Sequence, residues 1–115
     1  VDADDTLHPR RLEITHSKLI NHDLFLHAWT HAKPGPLPAH PLELDRAQLL
    51  KLVVGNRFQT PLYFCNGHAA VRKHVLAKYQ YDSRIAIGED QDFNIRVCKD
   101  PSMRVLYSDT ALTTI

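Results

Sequence analysis

Two groups of carboxylate side chains, far apart in the sequence, could together bind a metal ion and accept a proton. The first group is Asp2, Asp4 and Asp5, directly after what reads as the last residue of a buried strand. The second lies within residues 89–92, in what reads as the first turn of a helix. In α/β proteins, ligands bind at the carboxyl edge of the sheet, where strands end and helices begin. The two groups therefore predict a metal and base site at that edge.

The second group also has a simpler explanation, as the start of a stable helix. Acidic side chains in a first turn offset the helix dipole and need no other purpose. Gly88 stands before the acids, and Phe93 and Val97 lie four residues apart, as an inward helical face requires. Asp92 lies four residues before Arg96, which favours an ion pair along the helix. The catalytic interpretation therefore depends on both groups.

The elements around these residues are those of an α/β fold with flanking helices. Helical spacing of apolar residues predicts helices, and short apolar or alternating runs predict strands. The predicted helices span residues 9–21, 46–54, 69–79 and 89–99, and the predicted strands span 24–31, 62–65 and 103–107. Asp45 is the predicted cap of the second helix. The proline-rich residues 33–41 are predicted to be neither helix nor central strand, and they could form a domain linker or an excursion over an active site. The motif resemblance described below favours a loop within one domain, residues 1–115.

Each element carries an apolar face that we expect to form the core. In strand 24–31 even-numbered residues face one way and odd-numbered residues the other. In the last predicted strand, residues 103, 105 and 107 point to one side of the sheet, and residues 104 and 106 point to the other. The helical core stripes are predicted to be Leu12, His16, Leu19 and Ile20 in the first helix, and Val71, Val75 and Leu76 in the third.

Composition excludes several classes of protein. The chain has 115 residues, 43% of them hydrophobic, and a formal net charge of +1, so nothing favours nucleic acid or an anionic membrane as the main partner. No apolar run reaches the roughly 20 residues that cross a bilayer. His27 and His31 lie about 13 Å apart along a strand, too far to share one metal ion, so stacked or solvent-facing histidines are expected. Cys65 and Cys98 form no C-x-x-C pair and read as small buried hydrophobes, which fits a reducing compartment.

The motifs themselves resemble those of the family 2 glycosyltransferases. The first carboxylate group matches the D-x-D motif of that family, and the residues His8-Pro9-Arg10-Arg11-Leu12-Glu13 match the helix that follows it. Gly88-Glu89-Asp90-Gln91-Asp92-Phe93, with Arg96, matches its E-D motif. Asn66-Gly67-His68 and Val71-Arg72-Lys73 resemble the loop and helix before that motif. The similarity covers essentially the whole chain but only the second half of the family's catalytic domain, a mixed sheet with flanking helices of the nucleotide-diphospho-sugar transferase (GT-A, Rossmann-like) type.

This resemblance implies a metal-dependent transfer of a sugar from a nucleotide-diphosphate-sugar donor. Mn²⁺ or Mg²⁺ would stabilise the charge that develops on the departing diphosphate, and one or two carboxylates suffice to hold it. By this resemblance, Asp4 contacts the metal. Asp2 contacts the metal and the ribose or sugar of the donor, and Asp5 can take either role. It gives substrate-binding positions to Asn66, Gly67 and His68.

The resemblance also implies an inverting reaction with one carboxylate as the base. Asp90 would accept the proton of the acceptor hydroxyl, and Glu89 beside it would orient the acceptor. The acceptor would be a saccharide, a lipid-linked molecule or another hydroxyl compound. The implied location is the cytoplasm, at the inner face of a membrane in a peripheral association.

The family begins with a β-α-β-α-β half that binds the nucleotide base, and this half does not precede Val1 in the sequence. We therefore expect a truncated chain that is inactive alone and able to self-associate through an open sheet edge. Two alternatives stay open. One is a nucleotidyltransferase of similar fold, which would not need the acceptor base, and the other is a non-catalytic half-domain that acts in assembly.

Overall fold

The computed structural model describes residues 5–33, 35–55 and 69–115, and for residues 52–55 the backbone alone. Four helices and five strands occur in these ranges. The helices are α1 (Arg11–Leu19), α2 (Arg46–Gly55), α3 (Lys73–Lys78) and α4 (Glu89–Lys99), and the strands are β1 (Thr6–Leu7), β2 (Leu24–Thr30), β3 (Glu43–Asp45), β4 (Ala69–Val71) and β5 (Val105–Thr114). The predicted strand 62–65, the turn at Asn66 and Gly67, and Cys65 lie outside the described residues.

The strands form one mixed sheet in which β5 is central. β5 runs parallel to β2, with Leu24 opposite Val105, and β2 is antiparallel to β4 on its other side. On its second edge β5 pairs antiparallel with β3 near its beginning and with β1 at its end, where Thr6 lies opposite Thr114. The predicted α/β class, with a mixed sheet and flanking helices, is confirmed at this level.

Both faces of the sheet are covered, as the alternation in the sequence predicts. Leu24 and Leu26 face one core, and Phe25 faces the other. The first core holds helices α2, α3 and α4, which contribute Leu49, Val75, Phe93, Val97 and Cys98. The second core is smaller and is covered by α1 and by Leu37 of the proline-rich loop. The sheet therefore lies between α1 on one face and three helices on the other.

A β-bulge interrupts the parallel pairing of β2 with β5. His27 lies opposite Ser108, but the next residue, Ala28, lies opposite Ala111. The two extra residues project Asp109 outward, where its carboxylate accepts a hydrogen bond from the backbone N–H of Leu42 at 2.9 Å. Bulges of this kind increase the local twist of a sheet. The bulge thus anchors the end of the proline-rich loop to the central strand.

The predicted core stripe of the first helix is right for Leu19 and wrong for its other three residues. Leu12 is 76% exposed and Ile20 is 59% exposed, and His16 is exposed as well. The residues that pack against the sheet are Ile14 and Leu19. The helix is also shorter than the predicted 9–21. Helical spacing identified the helix, but it did not distinguish which side faces the sheet.

The region before the acidic helix also differs from its prediction. Residues 69–79 were predicted as one helix, but Ala69–Val71 forms β4 and only Lys73–Lys78 is helical. Pairing with β2 satisfies the backbone of these residues, and this tertiary contact outweighs the high helix propensity of the two alanines. Val75 is buried as predicted, whereas Leu76 is 45% exposed.

The edge strands and the length of the last strand were not predicted. Thr6 and Leu7, which lie outside the predicted elements, form β1. The last strand runs to Thr114 rather than ending at residue 107. Both differences have one cause, because β1 and the second half of β5 pair with each other and the bulge hides their alternation.

Candidate functional site

The acidic helix α4 begins and ends at the predicted residues. Gly88 has φ +86°, a left-handed conformation that glycine adopts at little cost and other residues rarely adopt. Its carbonyl accepts the first helical hydrogen bond, from the backbone N–H of Asp92 at 3.0 Å. The turn at Gly88 therefore sets the direction in which the following acidic residues leave the loop.

The three carboxylates of this turn differ in their surroundings. Oδ2 of Asp92 accepts a hydrogen bond from Nε of Arg96 at 2.8 Å, which confirms the predicted ion pair. The same guanidinium donates to the carbonyl of Gln80 at 2.6 Å. Asp92 therefore ties the helix to the segment before it, a structural role.

Glu89 and Asp90 hold the positions predicted for catalysis. Glu89 is exposed, and Asp90 is half-buried with Oδ1 accepting a hydrogen bond from the backbone N–H of Gln91 at 2.8 Å. The unsatisfied N–H groups of a helix start favour negative charge at this position. A half-buried carboxylate held by its own helix can accept a proton from a molecule bound in front of it.

An aromatic pair that the sequence analysis missed lies beside this turn. The rings of Tyr81 and Phe93 stack with centroids 4.7 Å apart and an interplanar angle of 27°. Phe93 is buried one helical turn after Asp90, while Tyr81 is 45% exposed. The only sequence signal was an aromatic residue inside an irregular stretch. The Tyr81 ring gives the acidic turn an apolar neighbour that reaches the surface.

The first carboxylate group is only partly described. Asp5 is half-buried and directly precedes β1. Because Thr6 pairs with Thr114, and the N–H of Ile115 donates to the carbonyl of Thr30 at 2.9 Å, Asp5 lies near the carboxyl ends of β2 and β5. The remaining predicted site residues lie outside the described ranges, so their distance from Asp90 is untested: Asp2, Asp4, Asn66, Gly67 and His68.

The described residues contain no group of three or more His, Cys, Asp or Glu side chains that could hold a metal ion. The predicted metal ligands Asp2 and Asp4 fall outside that search. Their chemistry fits Mn²⁺ or Mg²⁺, which prefer carboxylate oxygens. The metal site therefore stays a prediction that rests on the sequence.

The histidine at the start of α1 shapes this end of the chain. The carbonyl of His8 accepts a hydrogen bond from the N–H of Arg11 at 2.9 Å, and its Nδ1 accepts one from the N–H of Arg10 at 3.1 Å. Its Nε2 can then donate to the carbonyl of Gly35 at 3.2 Å. His8 thus begins the helix and joins it to the proline-rich loop.

Arg11 continues from α1 into the second core. Its Nε donates to Nε2 of His27 at 3.1 Å, and Nδ1 of His27 donates to the carbonyl of Ala28 at 2.8 Å. The imidazole is fully buried and neutral in this arrangement, so it is not solvent-facing. Its ring lies against that of Phe25, with centroids 5.8 Å apart, as the stacked alternative predicts. Burial lowers the pKa of Arg11 below its usual value. Both ring nitrogens of His27 are engaged, so this histidine is structural.

Two further carboxylates have structural networks at the opposite, amino edge of the sheet. Asp23 is buried, accepts a hydrogen bond from the backbone N–H of Arg104 at 2.8 Å, and lies 3.0 Å from Nε2 of His74. Asp100 accepts hydrogen bonds from Lys78 and Tyr79, which hold its pKa well below the usual range. The contacts of Asp23 join the starts of β2, α3 and β5, and the bonds of Asp100 join the end of α3 to the end of α4.

The described cysteine has no reactive character. Cys98 is buried in the first core, and its burial raises the pKa of the thiol to about 12. It behaves as the predicted small hydrophobe, because the thiolate form is suppressed.

Searches against protein-family models, curated proteins and solved structures find no match to this chain.

Proposed function

We propose that this chain carries the metal and base half of an inverting glycosyltransferase that uses a nucleotide-diphosphate-sugar donor. The observation that carries the proposal is that the three carboxylates in the first turn of α4 have different surroundings. Asp92 is bound to Arg96, whereas Asp90 is half-buried at the helix start and Glu89 is exposed. The motif resemblance assigns the base to Asp90, whose Oδ1 accepts a hydrogen bond from the backbone N–H of Gln91.

The topology of the sheet supports a shared location for the two acidic groups. The last turn of α4 lies near the amino edge, since Arg46 donates to the carbonyl of Cys98 at 3.2 Å and Asp45 pairs with Leu106 early in β5. A helix of 11 residues is about 16 Å long, and it leads into β5, so we expect it to run antiparallel to that strand. Its first turn would then extend toward the carboxyl edge, where Asp5 lies.

In this proposal the residues of the chain have separate roles in a single displacement reaction at the anomeric carbon. Asp90 takes the proton of an acceptor hydroxyl as the oxygen attacks the anomeric carbon, and Glu89 binds and orients the acceptor. Asp4 and Asp2 would hold Mn²⁺ or Mg²⁺, which supplies positive charge to the departing diphosphate. Tyr81 offers an apolar surface for one face of the acceptor. The acceptor is a saccharide, a lipid-linked molecule or another hydroxyl compound.

We place this reaction in the cytoplasm, with the protein at a membrane surface. The described residues include no helix of the length and apolar character needed to cross a bilayer. The buried, unreactive thiol of Cys98 fits a reducing compartment.

The test is a comparison of two neighbouring carboxylates in the longest natural form of the protein. Asp90→Asn keeps the shape and removes the base, so kcat should fall about 10²–10⁴-fold while the donor Kd stays nearly constant. Asp92→Asn is the matched control and should cost only a few tenths of a kcal/mol of stability. Full turnover by Asp90→Asn would favour a nucleotidyltransferase or another chemistry, and an inactive Asp92→Asn would reverse the assignment.

A further inference from the structure

The ring of Tyr81 forms an aromatic surface beside the acidic turn of α4. It lies nearly parallel to the ring of Phe93, with centroids 4.7 Å apart and an interplanar angle of 27°. Phe93 is 1% exposed and belongs to the first core, whereas Tyr81 is 45% exposed. Because Phe93 covers one face of the Tyr81 ring, the exposure of that ring comes largely from its other face and its edge. The core thus supports a flat aromatic face that a ligand can reach.

Contacts on both sides of Tyr81 hold its backbone in place. Before it, the carbonyl of Gln80 accepts a hydrogen bond from the guanidinium of Arg96 at 2.6 Å. After it, Asp82 forms a tight turn, in which its Oδ1 accepts a hydrogen bond from the backbone N–H of Arg84 at 3.0 Å. The guanidinium of Arg84 also donates to Oδ2 of Asp82 at 2.9 Å. A ring that is positioned in advance loses little freedom when a ligand binds, which favours affinity.

Tyr81 lies within the length of a short saccharide from Asp90. Phe93 follows Asp90 by three residues, and side chains at that spacing are neighbours on one side of a helix. Their Cβ atoms are roughly 5–6 Å apart, and with the 4.7 Å between the two rings the Tyr81 ring is on the order of 10 Å from the Asp90 carboxylate. A saccharide with one hydroxyl at Asp90 therefore has its next ring within reach of Tyr81.

We propose that Tyr81 is the stacking residue of an acceptor subsite, and that the acceptor is a saccharide of at least two rings. This rests on the proposed function, because it takes Asp90 as the base. The face of an aromatic ring carries partial negative charge and attracts the C–H groups on the apolar face of a sugar. The carboxylates of Glu89 and Asp90 can accept hydrogen bonds from the hydroxyls at the edge of the same sugar. An aromatic face next to two carboxylates therefore matches both the apolar and the polar parts of a sugar ring.

The charge of the turn disfavours a lipid-linked acceptor. The first turn of α4 contains Glu89, Asp90 and Asp92, and the carboxylate of Asp92 is paired with Arg96. A lipid carrier joined through phosphate would bring further negative charge next to Glu89 and Asp90, and like charges oppose binding. A neutral saccharide meets no such repulsion.

The experiment is saturation-transfer NMR on the longest natural form of the protein, without donor and without metal. The probes are chitotriose, cellotriose and maltotriose at millimolar concentration, with farnesyl phosphate as a water-soluble representative of lipid-linked acceptors. We expect saturation to pass from aromatic protons of the protein to the ring C–H protons of at least one trisaccharide. Binding of none of the trisaccharides, or binding of farnesyl phosphate alone, would overturn the proposal.

Variants identify the ring that makes the contact. Tyr81→Phe keeps the ring and should bind the trisaccharide as the parent does, whereas Tyr81→Leu keeps an apolar side chain without the ring and should weaken binding about three- to tenfold. Ile87→Ser removes a 92% exposed aliphatic side chain from the same segment and should leave binding unchanged. Parent-like binding by Tyr81→Leu, or an equal loss in Ile87→Ser, would contradict the stacking role. Thermal unfolding of each variant fixes a temperature at which all of them are folded during the binding measurement.

The subsite and the base assignment can fail separately. Asp90→Asn should retain trisaccharide binding while its kcat falls, and Tyr81→Leu should raise the acceptor KM more than it lowers kcat, with the donor Kd unchanged. If Asp90→Asn keeps full turnover while Tyr81→Leu loses saccharide binding, the proposed function fails and Tyr81 remains a saccharide-binding residue. If Asp90→Asn is inactive while Tyr81→Leu changes neither saccharide binding nor KM, the proposed function stands and the subsite is wrong.

Discussion

Nε of Arg11 donates a hydrogen bond to Nε2 of the fully buried His27, 3.1 Å away. The bond joins α1 to β2 across the second core, and the same guanidinium reaches the carbonyl of Ala69 in β4 at 3.5 Å. An arginine next to a neutral imidazole is an unusual core contact, because a buried charge normally needs a counter-charge. Because Arg11 is only half-buried, the cost of placing its charge beside a neutral imidazole is reduced.

Replacement of Arg11 should therefore destabilise the fold. Arg11→Met keeps an apolar stem but removes the donor to His27, which should lower the free energy of unfolding by about 1–3 kcal/mol. Arg10→Met is the matched control, because the Arg10 side chain pairs with Glu13 in an exposed position, and it should leave the stability nearly unchanged. Urea unfolding measures both. Equal losses would show that the His27 contact contributes nothing.

Asp23 should make stability depend on pH in the acid range. Burial works to raise the pKa of Asp23, but the hydrogen bonds from Arg104 and the charge of His74 outweigh it and lower the pKa. The stabilisation is therefore complete above the unfolded-state pKa of about 3.9 and is lost as the pH falls through the lower folded-state value.

The corresponding variant is Asp23→Asn, measured by thermal unfolding between about pH 6 and pH 2. At pH 6 the variant should be less stable by about 1–3 kcal/mol, and the difference from the parent should shrink below about pH 4. Asp100 is unchanged in both proteins, so its own acid titration cancels in the difference. A stability difference between variant and parent that stays constant with pH would contradict the stabilising role of the Asp23 carboxylate.

Gly88 should tolerate substitution poorly because of its backbone rather than its surroundings. A Cβ at this position would meet its nearest neighbour, Oε1 of Gln91, at an ordinary 3.9 Å, but the φ of +86° would strain any other residue. Gly88→Ala should cost about 1–2 kcal/mol in urea unfolding. Gly35→Ala is the control, since that glycine has open space around its Cβ position, and it should be neutral or slightly stabilising. Similar costs at both positions would mean that the left-handed turn is unimportant.

Asp4 is predicted to link donor binding to a divalent metal. In the longest natural form of the protein, calorimetry should detect binding of a nucleotide-diphosphate-sugar in the presence of Mn²⁺ or Mg²⁺ and not with a chelator present. Asp4→Ala should abolish this metal-dependent binding, whereas Glu13→Ala, which removes an exposed carboxylate of α1, should leave it intact. Donor binding that persists with chelator and in Asp4→Ala would rule out the metal role.

Elements with strong local signals were predictable from the sequence. α4 was predicted at both ends, because a glycine, an acidic first turn and the Asp100-Pro101 pair are all local. α2 was predicted because Asp45 caps it, and the structure adds a reciprocal bond: the N–H of Gln48 donates to Asp45 at 2.8 Å and Oε1 of Gln48 accepts from the N–H of Asp45 at 2.9 Å.

Features that depend on distant contacts were not predictable. β1, β3 and β4 are two or three residues long, and each exists because a longer strand supplies its hydrogen bonds. The outward stripe of α1 looks like a core face in sequence, and only the position of the sheet shows otherwise. At the candidate site, the ion pair of Asp92 follows from spacing along one helix, whereas the stack of Tyr81 on Phe93 joins the helix to an irregular segment that has no periodicity.

The bulge at Ser108–Thr110 divides β5 into two arms with different attachments. The first arm holds β3 and the main core, and the second arm holds β1, which directly follows the acidic residues at the start of the chain. The hydroxyl of Ser108 donates to that of Thr110 at 2.9 Å inside the bend. The bend therefore fixes the position of β1, and of Asp5 directly before it, relative to the first arm of β5 and the core packed on that arm. The bulge thus acts as a joint between the two arms of the central strand.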